Sequence, residues 1–366
     1  MPVSPDHQHA NGEIDIASLH AQDSTGLLAR IDRAVVWDIP LTTPFRGITR
    51  RDGVLLHGPG GWGEVAPFWD YGLEASAPWL ASGLCQALGN SLLPRYRETI
   101  SVNVTVPEIS AQDASDLVRA SGARTAKVKV SGSSDKRAAD LERLEAVRSA
   151  LGRSGKVRID VNGAWDLDTA RENLPLMDRA AGGLEYAEQP CATVYDLADL
   201  RRAVDVPIAA DESIRLSANP LEIVHRRAAD VAILKVAPLG GVHRAMDMAE
   251  RLGLPTVVSS ALDTSVGIMA GATLAFSLPS LNHACGLGTT YLLTQDVADP
   301  SVRPSNGTLR LDAAAPVSER LLDEVKAGPY LTKHWQTRLL HLAGALHARR
   351  QREARDPSRA VAGLPL

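Results

Sequence analysis

The sequence predicts an α/β fold: a (β/α)8-type, modified TIM barrel carrying an N-terminal α+β capping domain. Eight short runs rich in β-branched or apolar residues recur along the chain, each followed by an Ala-, Leu- and Arg-rich stretch of helical character, the rhythm of parallel βα units. The charged residues near the ends of five successive runs, Lys129, Asp160, Glu188, Asp211 and Lys235, are 31, 28, 23 and 24 residues apart, enough each time for a strand, a helix and two loops. An open doubly wound sheet would usually carry a glycine-rich phosphate loop after its first strand, and ISVNVTVPEIS has none.

Taken in order, residues 1–28 mix His, Asp and Gln with short apolar patches and are expected to form a flexible extension. They lack the basic start and continuous apolar run of a signal peptide. Residues 29–98 form the expected capping domain: FRGITRRDGVLLHGPGGWGE alternates like a hairpin between glycine turns, and a helical stretch then ends near Leu93. The barrel is expected over 99–290. Its runs are Ile100 to Val106, Ala126 to Val130, Val157 to Val161, Leu184 to Glu188, Val206 to Asp211, Val231 to Val236, Pro255 to Ser260 and, less regular, Leu281 to Gly286. Residues 291–330 carry pieces expected to pack back on the cap. Residues 331–366 read as an amphipathic helix with a basic end, expected to be solvated or frayed.

A chain of 366 residues fits one barrel with a smaller second domain, and 45% hydrophobic with 22% charged residues marks it as folded rather than disordered. With a formal charge of −4 and acids spread along the chain, no basic stripe offers a surface for nucleic acid. Cys85, Cys191 and Cys285 are few, odd in number and far apart, which suits a reducing, cytoplasmic setting. No run is long and apolar enough to span a membrane, and the oligomeric state stays open.

In a parallel barrel strand alternate side chains face the interior, so Lys127 and Lys129 point inward together while Val128 and Val130 meet the helices. Burial and mutual repulsion are expected to drive the two amines down, leaving at least one with a neutral population able to act as a base. Asp160, Glu188 and Asp211 end three successive strands and stand side by side. Three neighbouring carboxylates repel unless a cation joins them, and hard oxygen donors suit Mg2+, with Mn2+ able to substitute. Asp211, before Glu212 and Ser213, is alternatively a helix N-cap.

Lys235 ends the sixth strand, half a barrel from the second, and so should face Lys129 across the mouth. A substrate carboxylate on the cation would present its α-carbon to a lysine on either face, the cation stabilising the enediolate formed on deprotonation. Ser259, Ser260, Gly286 and Gly288 offer hydroxyls and amides for a second carboxylate, although the glycines serve a plain turn equally well. Arg46, between Phe45 and Gly47, either reaches over the mouth to substrate or stays on the surface, and Asn162, two residues after Asp160, is a further candidate contact. The expected partner is thus a small dicarboxylate. A metal-free aldolase using Lys129 or Lys235 as a Schiff base is the alternative from another class.

These residues resemble the enolase superfamily, in which K-x-K on the second strand, three metal carboxylates on the next three and a lysine on the sixth support lysine and magnesium chemistry. The lack of a histidine at Ser259 or Ser260 resembles its muconate-lactonising branch. More narrowly, FRGITRRDGVLLHGPGGWGE, GARTAKVKV, EYAEQPCATV, PIAADESIR, LKVAPLGG, VVSSALDTSVG and HACGLGT resemble the actinobacterial dehydratases of that branch. The resemblance implies loss of water from a succinyl-bearing hydroxycyclohexadiene carboxylate. Lys129 would be the base, Lys235 the opposed stabiliser and Lys127 the group that tunes Lys129, with the serines and Gly288 holding the succinyl end. N-succinylamino acid racemases of the same branch share the set, so racemisation is the enzymatic alternative.

Overall fold

Period-two alternation builds the cap. Strands β1 (Arg33–Phe45), β2 (Ile48–Gly58) and β3 (Gly61–Val65) form an antiparallel sheet in that order in the computed structural model, which describes residues 12–310 and 316–355. Val54, Leu56 and Val65 on one face pack against α2 (Leu73–Ala87), while Val35, Trp37, Ile39 and Leu55 on the other meet Val297, Leu322 and Val325. The close crossing of β3 and α2 explains the glycines of GWGE: a Cβ at Gly63 would lie 1.9 Å from the Gly83 carbonyl oxygen. The β1–β2 hairpin turns on Arg46 and Gly47, both left-handed with φ of 51° and 75°, the geometry of a type I′ turn.

The expectation of a flexible extension over 1–28 is corrected for residues 12–28. Glu13 bridges Val35 beside β1, and α1 (Ile16–Gln22), capped by Asp15, buries Leu19 against the cap core together with Leu28. Two leucines with no exposed surface supply the apolar burial that orders the segment. Residues 1–11 lie outside the described residues.

After β4 (Thr99–Ser101) the barrel runs through β5 (Val104–Val106), α3 (Ala111–Ser121), β6 (Thr125–Lys129), α4 (Arg137–Leu151), β7 (Lys156–Asp160), α5 (Leu167–Ala180), β8 (Leu184–Glu188) and α6 (Val194–Ala203). It continues with β9 (Ile208–Ala210), the one-turn helices α7 (Glu212–Arg215) and α8 (Glu222–His225), β10 (Val231–Lys235), α9 (Val236–Leu239), α10 (Val242–Leu252), β11 (Thr256–Ser259) and α11 (Ser265–Ser277). Strands β5 to β11 form one seven-stranded parallel sheet in sequence order.

Two expected runs differ. Ile100 to Val106 divides: Thr99–Ser101 pairs antiparallel with β12 (Thr308–Arg310), and only Val104–Val106 joins the barrel sheet. Leu281 to Gly286 is not a strand, yet it closes the ring by single bridges, Cys285 to Val102 and Gly286 to Ser259, with Cys285 N–H donating to Ser101 at 2.7 Å and Gly286 N–H to Val258 at 2.8 Å. A segment without β-branched residues and rich in glycine beyond its end holds only this irregular pairing.

Outward-facing Val128, Val157, Ile159, Ala187, Ile208, Ala232, Leu234 and Val258 pack under the helices. Tyr186, Ala209, Val231, Ile233 and Val257 fill part of the interior. The return segment reaches the cap through bridges from Leu293 to Leu41 and from Lys326 to Trp37, and through α12 (Glu319–Glu324), whereas β12 pairs with β4 instead.

The final helix, α13 (Pro329–Arg355), corrects the expectation of a solvated terminus. Trp335, Leu339, Leu342, Ala343 and Leu346 are buried in the cap core. Two arginines of its basic end are paired: Arg349, together with Arg244, meets Glu353, and Arg352 meets Glu74. Residues 356–366 lie outside the described residues. All three cysteines are buried and unpaired. Among the described residues no helix is long and apolar enough to cross a membrane.

Candidate active site

The parallel register assembles the charged residues. Lys129 pairs across to Asp160 and Asp160 to Glu188, while Glu188 meets Ala209, two residues before Asp211. Alternation sends Lys127, Lys129, Asp160 and Glu188 to the interior, as expected, and Val128 to the helices. The Lys127 Nζ sits 2.7 Å from Asp160 Oδ2 and 2.6 Å from Glu188 Oε1, and the Lys129 Nζ is 2.6 Å from the same Asp160 oxygen. On the far side Lys235 Nζ donates to Asp211 Oδ2 at 2.6 Å and Arg215 Nε to Asp211 Oδ1 at 2.9 Å. Asp211 precedes α7 but makes no side-chain cap; its carboxylate is taken up by Lys235 and by Arg215 of that helix.

The three acids are almost wholly buried, at 1%, 1% and 0% exposure for Asp160, Glu188 and Asp211, which makes their fields strong. Burial opposes ionisation of Asp160, but the charges of Lys127 and Lys129 outweigh it and hold this carboxyl well below its usual range. Asp211 is likewise held low against burial by Arg215 and Lys235. Glu188 goes the other way: burial, and then the charge of Asp160 beside it, push it up to about 7.

The lysines split. Burial lowers both, yet Asp160 and Glu188 together hold Lys127 well above its ordinary value, so the expected depression is corrected for that residue. Lys129 is lowered by burial, with the Lys127 charge reinforcing it and Asp160 only partly offsetting it. Two inward lysines share one acid pair, and the one lodged between both acids takes most of it.

One cavity brings together Lys127, Lys129, Asp160, Asn162, Lys235, Ser259, Ser260, Gly286 and Arg46. Asn162, with φ of 53°, accepts from Lys129 through Oδ1 and donates its own backbone N–H to Asp160 Oδ1 at 3.1 Å. Ser260 Oγ donates to the Gly286 carbonyl at 2.8 Å and lies 2.7 Å from Thr289 Oγ1. Gly286 presses so close to β11 that a Cβ there would meet Ser259 Oγ at 2.5 Å. Gly288 does not share this cavity; it lines the adjoining cleft with Thr42, Tyr291 and Arg303.

Sequence reasoning missed Arg215, Tyr71, Phe45, Phe68 and Thr289, which are among the other residues lining the cavity. Arg215 was findable, since it follows Asp211 by four residues, the spacing of a helical ion pair. The cap aromatics carried no such signal, because which loop residues turn toward the barrel depends on how the two domains dock.

As the side chains stand, each acid is turned to an amine, and among the described residues no three acid, His or Cys side chains converge to hold an ion. The donor chemistry nevertheless fits a hard divalent cation: three buried carboxylates on neighbouring strand ends.

An enolase-like barrel protein is the class that this architecture and acid–amine array define. Residues 110–316 match the family described as enolase C-terminal domain-like, and residues 36–87 the one described as enolase N-terminal domain-like. The o-succinylbenzoate synthase of Thermobifida fusca is 52% identical over 305 residues, covering 82% of this chain and 93% of that one. That of Mycobacterium tuberculosis strain H37Rv is 46% identical over 314 residues, covering 86% and 94%. In structure, a substrate-liganded complex of the L-Ala-D/L-Glu epimerase from Bacillus subtilis superposes with a TM-score of 0.66 at 25% identity, covering 81% of this chain and 97% of that one. The chain belongs to the enolase superfamily and, within it, to the o-succinylbenzoate synthase family.

Proposed function

We propose that this chain is a hydro-lyase, an o-succinylbenzoate synthase that removes water from 2-succinyl-6-hydroxy-2,4-cyclohexadiene-1-carboxylate to give 2-succinylbenzoate. Its setting would be the cytoplasm, as a step of menaquinone biosynthesis. The observation that carries the reading is the single cavity lined by Lys129 and Lys235, amines from non-adjacent strands, with the buried acid row between those strands. The relatives that share about half its residues along nearly their whole length bear that enzyme's name.

Asp160, Glu188 and Asp211 would hold a divalent cation, Mg2+ or in its place Mn2+, which when bound supplies positive charge for a carboxylate and its enediolate. Lys129, lowered toward neutrality, removes the α-proton. Lys127 stays charged and adds to the burial that lowers its neighbour. As the enediolate electrons return to aromatise the ring, the carbon–oxygen bond breaks and the protonated Lys129 gives its proton to the departing hydroxide on the same face. Lys235 stabilises the enediolate from the opposite face. Ser259, Ser260, Gly286, Asn162 and Arg46 line the space for the succinyl end of this dicarboxylate.

The test is to add Mg2+ and the cyclohexadiene substrate and to follow the aromatic product; absence of turnover rejects the reading. Because Lys129 and Lys235 line the cavity from non-adjacent strands, racemisation of N-succinylamino acids is the second reading. Exchange of the α-proton with solvent deuterium from both enantiomers would support it.

A further inference from the structure

Arg46 and Arg215 come from different domains, one from the β1–β2 turn of the cap and the other from α7 at the barrel rim. Both donate to one oxygen. Arg46 Nη1 reaches the Tyr71 hydroxyl at 3.2 Å and Arg215 Nη1 reaches it at 2.7 Å, while each guanidinium carbon stands 5.6 Å from the centre of the Tyr71 ring. We propose that Tyr71 is a positioning residue, a post that fastens the Arg46 turn to Arg215 and so holds the Arg46 guanidinium over the mouth for the substrate's remote carboxylate. This rests on the dicarboxylate reading above.

The post is held on both sides. Arg215 is itself fixed, with a side chain 4% exposed, one bond to Asp211 and another to Glu212 at 2.7 Å. The loop carrying Tyr71 is tied from behind by Arg338, which donates to the Pro67 carbonyl at 3.1 Å and the Phe68 carbonyl at 2.7 Å, and by Ser76 Oγ, which donates to the Tyr71 carbonyl at 3.3 Å.

Arg46 has little else to hold it. Its ion pair with Asp70 is long, at 3.7 Å, and Asp70 is 66% exposed, so solvent screens it. The remaining contact is stacking over Phe68, with 4.3 Å from the guanidinium carbon to the ring centre. Its backbone takes the left-handed geometry of the β1–β2 turn, which sets the turn but not where the side chain points. A phenol accepting charged N–H donors from both domains supplies that direction.

The chain also shows what the post is anchored to. Glu212, which binds Arg215, accepts from Asn162 at 3.2 Å, and Asn162 accepts from Lys129; Asp211, also on Arg215, accepts from Lys235. Arg215 thus joins the hydrogen bonds of both lysines, and Tyr71 is where the cap attaches to that chain.

Tyr71→Phe and Tyr71→Leu, compared in the full-length protein with Mg2+, separate the possibilities. If the hydroxyl is the post, Tyr71→Phe raises KM about tenfold with kcat within about twofold, because uniform binding is what is lost. Amide hydrogen exchange over residues 45–48 then accelerates, and Arg46→Lys adds little further in the Tyr71→Phe background. If the ring only fills space, Tyr71→Phe matches the parent, Tyr71→Leu alone is impaired, and the proposal is overturned. It is likewise overturned if the Arg46 and Tyr71 effects on KM simply multiply. Should the parent prove inert toward the cyclohexadiene while Tyr71→Phe still loosens residues 45–48, the dehydratase reading fails and the latch stands. Should the parent turn over and the variant change neither KM nor exchange, the latch fails alone.

Discussion

Lys127 and Lys129 stand two residues apart on one strand and meet opposite fields. Lys127 lies between two carboxylates and remains an ammonium, whereas Lys129 keeps one shared oxygen and feels its neighbour's charge. On the proposed reading Lys129 is the base, lowered first by burial and further by the better-partnered ammonium beside it. Replacing Lys129 by alanine should lower turnover about 10²–10⁴-fold, the usual contribution of a general base, while Mg2+ binding measured by calorimetry persists. Asp211→Asn should do the reverse in order, weakening Mg2+ affinity first, because it removes negative charge from the acid row. If both variants kept full activity, these roles would be misassigned. Strand periodicity was enough to read that both lysines face inward. It could not tell them apart, since the difference comes from Glu188, a residue on another strand that reaches Lys127 and not Lys129.

At the scale of elements, the seam between β3 and α11 shows how the cap is fixed to the barrel. Glu64, on β3, accepts from the backbone N–H of Thr264 at 3.2 Å and of Gly267 at 2.9 Å, at the start of α11, where amides lack helical partners. Burial, and then the charge of Asp263, push Glu64 up to about 8. A carboxyl raised above its ordinary 4.5 on folding contributes stability that is complete below that value and is lost as pH rises through about 8. Glu64→Gln has no such proton to lose. The melting temperature of the parent minus that of Glu64→Gln should therefore fall between pH 5 and about 9, and a difference independent of pH would contradict the assignment. Glu64 and its partners lie in segments the sequence analysis singled out, but nothing there paired them, for the pairing spans 200 residues. The parallel strands were legible because each repeats one local pattern. The eighth was read less clearly, because its closure depends on two bridges to neighbours at opposite ends of the barrel sheet and on no regular pattern of its own.

For the whole molecule, the two-domain plan was readable from the change of rhythm near residue 99, but the part played by α13 was not. Its apolar stripe was visible; an amphipathic stripe does not say what it faces. In the fold it floors the cap, and Arg338 on it also reaches the segment that carries Phe68 and Tyr71 to the cavity. That gives the last helix two separable duties. Leu342→Ala opens a cavity in the cap core and should cost about 2–5 kcal/mol with KM unchanged, since Leu342 does not line the site. Arg338→Leu keeps apolar bulk but leaves the Pro67 carbonyl without its donor, at about 1–3 kcal/mol, leaves the Phe68 carbonyl with the Tyr71 N–H alone, and also frees the segment behind the mouth. Denaturant unfolding should show both variants destabilised, and steady-state kinetics should show KM raised in Arg338→Leu alone. Equal KM in the two would mean that α13 supports the cap only as a floor and that the aromatic segment holds its place without it.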